Sequence, residues 1–346
     1  MYDMDATANR LIRKLMDNGF DAWLAGGSVR DMCLGIQTDD QDIISNARPE
    51  QVKKIFSNLE FDMSAAKYGT VNTKINGKNY DFTAIHKDGA YIDGRHPSYV
   101  DFNAIIGEDM ERRDFTINAM AYSLSSGLFD IFNARDDLFR FKVIRCVNDV
   151  AESSFSDDSL RILRALRFAA TLPGGFIIEK RTEDAAFSCA PLIKNLSKTR
   201  IAYEFSRLIV GKYAHSVLTR YRDVLCEVLP KNLFYEGIMN VSCDLATRLA
   251  VLYYRCQDEL FKLPIQRRDI LNASVLINDL SFDARAIIKK FGVHGAFRVV
   301  EFRRAIGYDT FALEGGIENA LESGTCFTLS DLKINGHDLL EIGVPA

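Results

Sequence analysis

Apolar and polar positions recur with two different periods along this chain, and the point where the period changes divides it. Leu11, Ile12, Leu15 and Met16 fall at helical spacing. The run Ala22-Trp23-Leu24-Ala25 is continuously apolar and stops at Gly26-Gly27, the pattern of a buried strand entering a turn, with residues 28–34 as a short helix. Residues 41–44 suggest a second strand, and 49–59 a helix with Pro49 in its first turn. Val, Thr, Ile and Phe crowd 69–75 and 79–85, and the Asn76-Gly77 between them is a hairpin signal. From about Asp157 the strand patterns fade. Amphipathic helices are predicted over 157–171, 181–193, 198–210 and 215–227, with more beyond. The pattern predicts an α+β chain, a head with a small mixed sheet followed by an all-helical extension, with no internal repeat.

Length and composition narrow this picture. A chain of 346 residues is long enough for two or three domains and a substantial core. Its 47% hydrophobic and 26% charged residues place it among ordinary soluble globular proteins. The first 20 residues lack a continuous apolar run, and no stretch matches the thickness of a bilayer, so neither a leader nor a membrane partner is expected. Cysteines at 33, 146, 189, 226, 243, 256 and 326 form no CxxC pair. Reduced, packed thiols in a cytoplasmic protein are the expectation. A net charge of −4 argues against a globally basic nucleic-acid coat and leaves room for a local basic groove.

Candidate chemistry gathers at four places. Gly26-Gly27-Ser28-Val29-Arg30-Asp31 puts paired glycines between strand and helix, which lets backbone approach a ligand and turns a helix N-terminus toward an anion. Arg30, one turn in, can reach a phosphate. In Asp40-Gln41-Asp42 the two carboxylates point to one face of a strand, where they repel unless a cation joins them. Asp81 interrupts the strand pattern Tyr80-Asp81-Phe82-Thr83 and reads equally as an outward-facing residue or as a third acid. Three acids from two strands suit a two-metal site for in-line displacement. In Arg112-Arg113-Asp114-Phe115-Thr116-Ile117-Asn118, the arginines suit phosphate, Asp114 is predicted to cap a following helix, and Asn118 suits a ribose hydroxyl. Finally, Ser156 is predicted to cap a helix carrying Asp158, Arg161, Arg164 and Arg167. The arginines recur every three residues as a cationic stripe, and an acid beside an arginine offers a donor–acceptor edge to a nucleobase. A salt-bridged, solvated helix face is the alternative.

Taken in order, GGSVRD with Leu34-Gly35, DQD, RRDFTINAMA and DDSLRILRALRFAA resemble the motifs of the bacterial class II CCA-adding enzymes and the related bacterial poly(A) polymerases. The likeness runs from the head through Lys198-Thr199-Arg200-Ile201 to residues 332–343. It implies a polymerase-beta-like nucleotidyltransferase head over 1–140, a helical neck over 141–212 for nucleobase recognition, and a helical body and short tail over 213–346 for tRNA. It implies template-independent addition of C, C and A to the tRNA 3′ end from CTP and ATP, with release of pyrophosphate. Asp40 and Asp42 would bind two Mg²⁺ ions, with Asp81 the third catalytic carboxylate. Gly26, Gly27, Ser28 and Arg30 would hold the triphosphate, and Arg113 and Asn118 would belong to the ribose and phosphate site, with Arg112 a weaker candidate. Asp158 and Arg161 would read the base edge, with Arg164 and Arg167 supporting their helix or touching phosphate.

Residues 88–97 resemble the loop with which such enzymes switch from C to A, which favours CCA addition over poly(A) addition. Several positions depart from the family pattern. His86 stands where an arginine is usual, Asn133-Ala134 where Gly-Gly is common, and Asp157 where Glu is usual. The chain reaches Val344-Pro345-Ala346 where relatives usually continue, and a shorter tail would weaken the grip on RNA. An idle RNA-binding relative is the alternative from another class. Basic residues along the helical half, Lys180, Arg181, Lys194, Lys198, Arg200, Arg207, Lys212, Arg220 and Arg222, fit the backbone of an acceptor stem. No obligatory protein partner is expected.

Overall fold

The computed structural model describes residues 4–89, 98–323 and 327. Contacts divide the chain into two compact units, Met1–Leu196 and Ser197–Ala346. The division falls inside the span 141–212 expected to form the neck.

The first unit opens with α1 (Ala6–Asp17), β1 (Ala22–Ala25), α2 (Gly26–Leu34), β2 (Asp40–Ser45), α3 (Pro49–Ile55), β3 (Thr70–Ile75) and β4 (Lys78–Ala84). The short pair β5 (Lys87–Asp88) and β6 (Val100–Asp101), α4 (Ile106–Glu111), β7 (Ala121–Ser123) and β8 (Gly127–Phe129) follow. A π-helical turn at Asp136–Phe141 leads into β9 (Val143–Ile144), α5 (Ala151–Asp157), α6 (Leu160–Thr171), β10 (Ile177–Ile178) and α7 (Lys180–Ser188). The main sheet has the order β3-β4-β2-β1-β7-β8 and is mixed, because β2 and β4 run parallel while the other neighbours are antiparallel.

Local chemistry accounts for these elements. Asp5 caps α1 by accepting from the backbone N–H groups of Thr7 and Ala8, and Leu11, Ile12 and Leu15 are buried on one stripe. The β3–β4 turn uses Asn76 and Gly77 at φ 50° and 86°, the left-handed geometry that the hairpin signal predicts. Ala25, Ile44, Ile85, Met110, Ala119 and Ala121 form a buried cluster, with Trp23 and Phe129 packed on it. Burial of that cluster holds the β1–α2 junction against β2 and β7.

Four helical predictions in this unit are corrected by the structure. The helix expected over 157–171 is two helices, and Ser156 lies inside α5 rather than capping α6. Asp158 breaks the run at φ −144°, where its carboxylate accepts from the Leu160 N–H (3.1 Å), a local bond that competes with helix continuation. Asp114 caps no α-helix, because only a 3₁₀ turn (Thr116–Asn118) follows and the carboxylate is engaged sideways. The helix expected over 181–193 stops at Ser188, and a 3₁₀ segment, Ala190–Asn195, carries Pro191, whose ring cannot continue an α-helix. The helix from Pro49 ends at Ile55, after which Phe56 turns into the core against Phe82.

The second unit is helical: α8 (Lys198–Ile209), α9 (Ala214–Arg220), α10 (Arg222–Leu225), α11 (Leu245–Tyr253), α12 (Gln257–Leu260), α13 (Arg267–Asn278), α14 (Ala284–Ala305) and α15 (Phe311–Glu322). The single helix expected over 215–227 is the pair α9 and α10. Helix α11 is buried on every side from Ala246 to Tyr253, as a central core helix must be. Arg248 lies among those apolar residues because its guanidinium donates to the carbonyls of Ile209, Gly211 (2.7 Å) and Ser242 (2.9 Å). Helix α14 kinks at Gly292, which takes φ 71°. No helix among the described residues is long and apolar enough to cross a membrane.

Candidate active site

The acids predicted from the sequence meet on one face of the sheet. In the parallel β2–β4 ladder, Asp42 lies opposite Asp81 and Asp40 opposite Asn79. Gln41 and Ile43 on β2, and Tyr80 and Phe82 on β4, alternate into the core, so Asp40, Asp42 and Asp81 share the other face. Asn79 Nδ2 donates to Asp40 Oδ1 (2.7 Å). Burial raises the Asp42 carboxyl above its ordinary range and Asp40 adds to the rise, against the pull of Arg113, Arg30 and Arg164. Burial, then Asp42 and Asp40, push Asp81 up to about 6. Crowded like charges of this kind are relieved by a cation. Carboxylate oxygens are the hard donors that Mg²⁺ takes, commonly one or two at a time with substrate phosphates completing the shell. Among the described residues no group of three or more His, Cys, Asp or Glu side chains is placed to hold a metal ion.

Ser28, expected at the triphosphate, has a second task. Its Oγ accepts from the Asp42 N–H (2.8 Å) and donates to the Asp40 carbonyl (3.3 Å), so the first turn of α2 locks the strand that carries both acids. Gly26 begins α2 at φ 66°, with its N–H bonded to the Met120 carbonyl. A Cβ there would lie 2.5 Å from Arg113 Nη1 and 3.1 Å from Asp42 Oδ2. Gly26 therefore holds open the gap where a carboxylate and a guanidinium face each other beside a helix N-terminus. We expect Gly26→Ala to displace the Arg113 guanidinium and lower nucleotide incorporation by about 10-fold. Unchanged steady-state incorporation in this variant would show that the close approach is irrelevant.

Behind this gap the remaining predicted residues form a buried lattice. Arg30 pairs with Asp31 (2.7 Å) and donates to Asn118 Oδ1 (2.6 Å). Asn118 Nδ2 donates to Asp114 Oδ1 (2.9 Å), and Asp114 Oδ2 takes Arg164 Nε (2.7 Å). Arg30, Arg164 and Arg167 all lie over the ring of Phe168, at 4.8, 5.5 and 4.1 Å. Arg161 donates to Ser154 Oγ (2.7 Å) and to the Arg112 carbonyl (2.9 Å). The stripe on α6 is half-buried against the head rather than solvated.

Two features escaped the sequence reading. Asp109 is fully buried and binds Arg112 through Oδ1 (2.8 Å) and Arg113 through Oδ2 (3.2 Å). Its spacing, three and four residues before the two arginines on a helical segment, was the available signal. Phe168 was visible only as an apolar position of α6. Of the departures, His86 is buried, with Nδ1 2.7 Å from the Ala84 carbonyl and Nε2 3.3 Å from Asp88. Asn133 adopts φ 55°, the left-handed geometry for which glycine is the easier choice. Ala134 is buried and its N–H is held by Asp130. The expected switching loop, 88–97, falls outside the described residues beyond Gly89, as does the segment 332–343.

The chain is similar to known proteins along most of its length. Residues 22–145 match the poly A polymerase head domain family, and residues 175–224 match the family described as a probable RNA and SrmB-binding site of polymerase A. A CCA-adding enzyme of Leuconostoc mesenteroides is 32% identical, over 97% of this chain and 86% of that protein. A CCA-adding enzyme of Streptococcus mutans is 42% identical over 59% of this chain and 49% of its own length. The crystal structure of a Bacillus stearothermophilus CCA-adding enzyme in complex with CTP superposes with a TM-score of 0.77 at 28% identity, covering 98% of this chain and 88% of that one.

Proposed function

Because the chain belongs to the CCA-adding enzymes, the tRNA nucleotidyltransferases, we propose that its head adds C, C and A to the tRNA 3′ end from CTP and ATP at the acid face of β2 and β4. The observation that carries this reading is the convergence of Asp40, Asp42 and Asp81 on one sheet face beside the Gly26 gap. Two Mg²⁺ ions held by Asp40 and Asp42, with Asp81 alongside, would polarise the RNA 3′-hydroxyl for attack on the α-phosphate and neutralise the departing pyrophosphate.

The chain's own side chains supply the rest. The N-terminus of α2, at Gly26, Gly27 and Ser28, faces the triphosphate with the favourable end of its dipole. Arg113 meets phosphate across the gap. Arg30 and Asn118 act by fixing one another and α2. Asp158, at the break before α6, and Arg161 present the acceptor and donor edge that admits C and A and refuses G and U. Arg164 and Arg167 brace that helix through Asp114 and Phe168. The head over 1–140, neck over 141–212 and body over 213–346 are a functional division in this reading, with the acceptor stem lying along the basic residues of the helical half. A cytoplasmic location is part of this reading, supported by the tRNA-processing family to which the chain belongs.

The direct test supplies tRNA lacking its CCA end, Mg²⁺ and single or paired nucleoside triphosphates. The expected products are two C additions with CTP alone and a completed CCA with CTP and ATP. A long A tract would move the assignment to poly(A) addition. Absence of incorporation, with tRNA binding intact in both wild type and Asp42→Ala, would leave an RNA-binding scaffold. Binding of tRNA is also expected to weaken about 10-fold or more between 50 and 200 mM salt, measured by filter retention. A salt-independent affinity would remove the basic groove from the proposal.

A further inference from the structure

Arg113 stands between two anions. Its Nη2 pairs with Asp109 Oδ2 at 3.2 Å, while its Nη1 and the Asp42 carboxylate flank the same point above Gly26. Its positive charge pulls against the burial that raises the Asp42 carboxyl. Nη1 also donates to the Asn118 carbonyl (3.3 Å), and Nε is buried and makes no hydrogen bond among the described residues. The guanidinium is thus incompletely satisfied, and Asp109 supplies its ion pair. Asp109 is well built for this. It is fully buried, and although burial pushes its carboxyl up, Arg112 and Arg113 bring it below the ordinary carboxylate range. Its Oδ1 takes Nε and Nη2 of Arg112 (3.1 and 2.8 Å), which leaves Oδ2 for Arg113.

We propose that Asp109 is a positioning residue that holds the Arg113 guanidinium back from Asp42 and so sets how tightly the acid face takes a divalent cation. This rests on the site reading above. Asp109 shares its charge between Arg112 and Arg113, so the guanidinium it holds still repels an approaching ion, but from a fixed place away from the Asp42 oxygens. Deprived of that partner, it keeps its charge and turns to the carboxylate it faces across the Gly26 gap, Asp42. It then occupies an oxygen that the cation needs and repels the cation as well.

The test uses the full-length, nucleotide-free protein and Mn²⁺ as the probe, with free ion counted by electron paramagnetic resonance. Activity is not read, so the part Arg113 plays toward phosphate does not enter. Asp109→Asn is expected to weaken Mn²⁺ binding about 10-fold. Arg113→Gln is expected to act in the opposite direction and tighten it several-fold. In the double variant the defect of Asp109→Asn is expected to vanish. A merely structural role for Asp109 predicts that the double variant binds as poorly as Asp109→Asn, and that result overturns the proposal. So does unchanged or weakened binding in Arg113→Gln, which decides the matter even where Asp109→Asn folds poorly. The site reading is checked separately with Asp42→Ala. Mn²⁺ binding that survives that change refutes the site and the proposal with it, whereas binding that Asp42→Ala abolishes but Asp109→Asn and Arg113→Gln leave unaltered refutes the proposal alone.

Discussion

Asp42→Asn is expected to reduce nucleotide incorporation about 10³-fold or more while leaving the protein as stable as before, or more so. The kinetic loss follows from its place in the proposal, because it removes the carboxylate that faces Arg113, Asp81 and the Gly26 gap together. The thermal effect follows from a different observation. Burial and Asp40 raise the Asp42 carboxyl above its ordinary range, so in the folded protein the ionised form sits at a cost above its unfolded pKa. Removing that charge relieves Asp81 as well, which Asp42 helps to push up to about 6. A melting temperature unchanged or raised by about 3 °C at pH 7 is therefore expected. Adding CTP and Mg²⁺ should raise the melting temperature of the wild type and not that of the variant. A variant that melts well below the wild type without ligand would show that Asp42 is a stabilising ion-pair partner of the arginines rather than a destabilised site residue.

The contrast between Asp42 and its neighbours explains what the sequence made legible. The β1–α2 junction, the Asn76-Gly77 hairpin and the acid strand are local patterns, each set by residues within a few positions of one another, and each forms where it was read. The placement of Asp81 was left open from the sequence because alternation fixes a face only relative to a strand's own neighbours. The parallel pairing of β2 with β4, which sets Asp81 opposite Asp42, depends on the crossover through α3 and the hairpin. The same limit applies to polar residues. Asp114 reads as a helix cap because Asp at such a position usually is one, yet its carboxylate turns to Arg164, 50 residues on. Asp158 reads as part of a helix because the apolar period continues past it, and the local bond to the Leu160 N–H is what interrupts the run. Asp109 drew no reading from the sequence, where its only signal is its spacing to Arg112 and Arg113. Its burial, invisible in the pattern, is what makes its pairing with two arginines consequential.

Asp114→Asn is expected to destabilise the head, and the pH dependence of that loss identifies the cause. Asp114 is buried, accepts from the Phe115 N–H (2.8 Å) and Asn118 Nδ2 (2.9 Å), and takes Arg164 Nε at 2.7 Å. Burial alone would raise its carboxyl. Arg164, Asn118 and Arg161 outweigh burial and hold it at about 2. A carboxyl depressed in the folded state stabilises the fold above its unfolded pKa, and that contribution is lost as the pH falls from about 4 to about 2. Its size is about 2 kcal/mol, discounted from the full cost of breaking a buried pair because Arg164 keeps 34% of its side-chain surface exposed. At pH 7 the variant should melt roughly 5 °C below the wild type. As the pH falls to about 2 and below, the difference should narrow toward zero, because the wild-type carboxyl takes up its proton only as the pH passes its folded value of about 2. The change also reaches the site, since the one amide oxygen cannot serve both Asn118 and Arg164 and Arg30 is held by Asn118. Incorporation measured well below the melting range should therefore fall through kcat more than through the KM for tRNA. A melting difference that persists undiminished at about pH 2 would assign the loss to packing and would remove the Asp114–Arg164 pair from the account of how α6 is held against the nucleotide site.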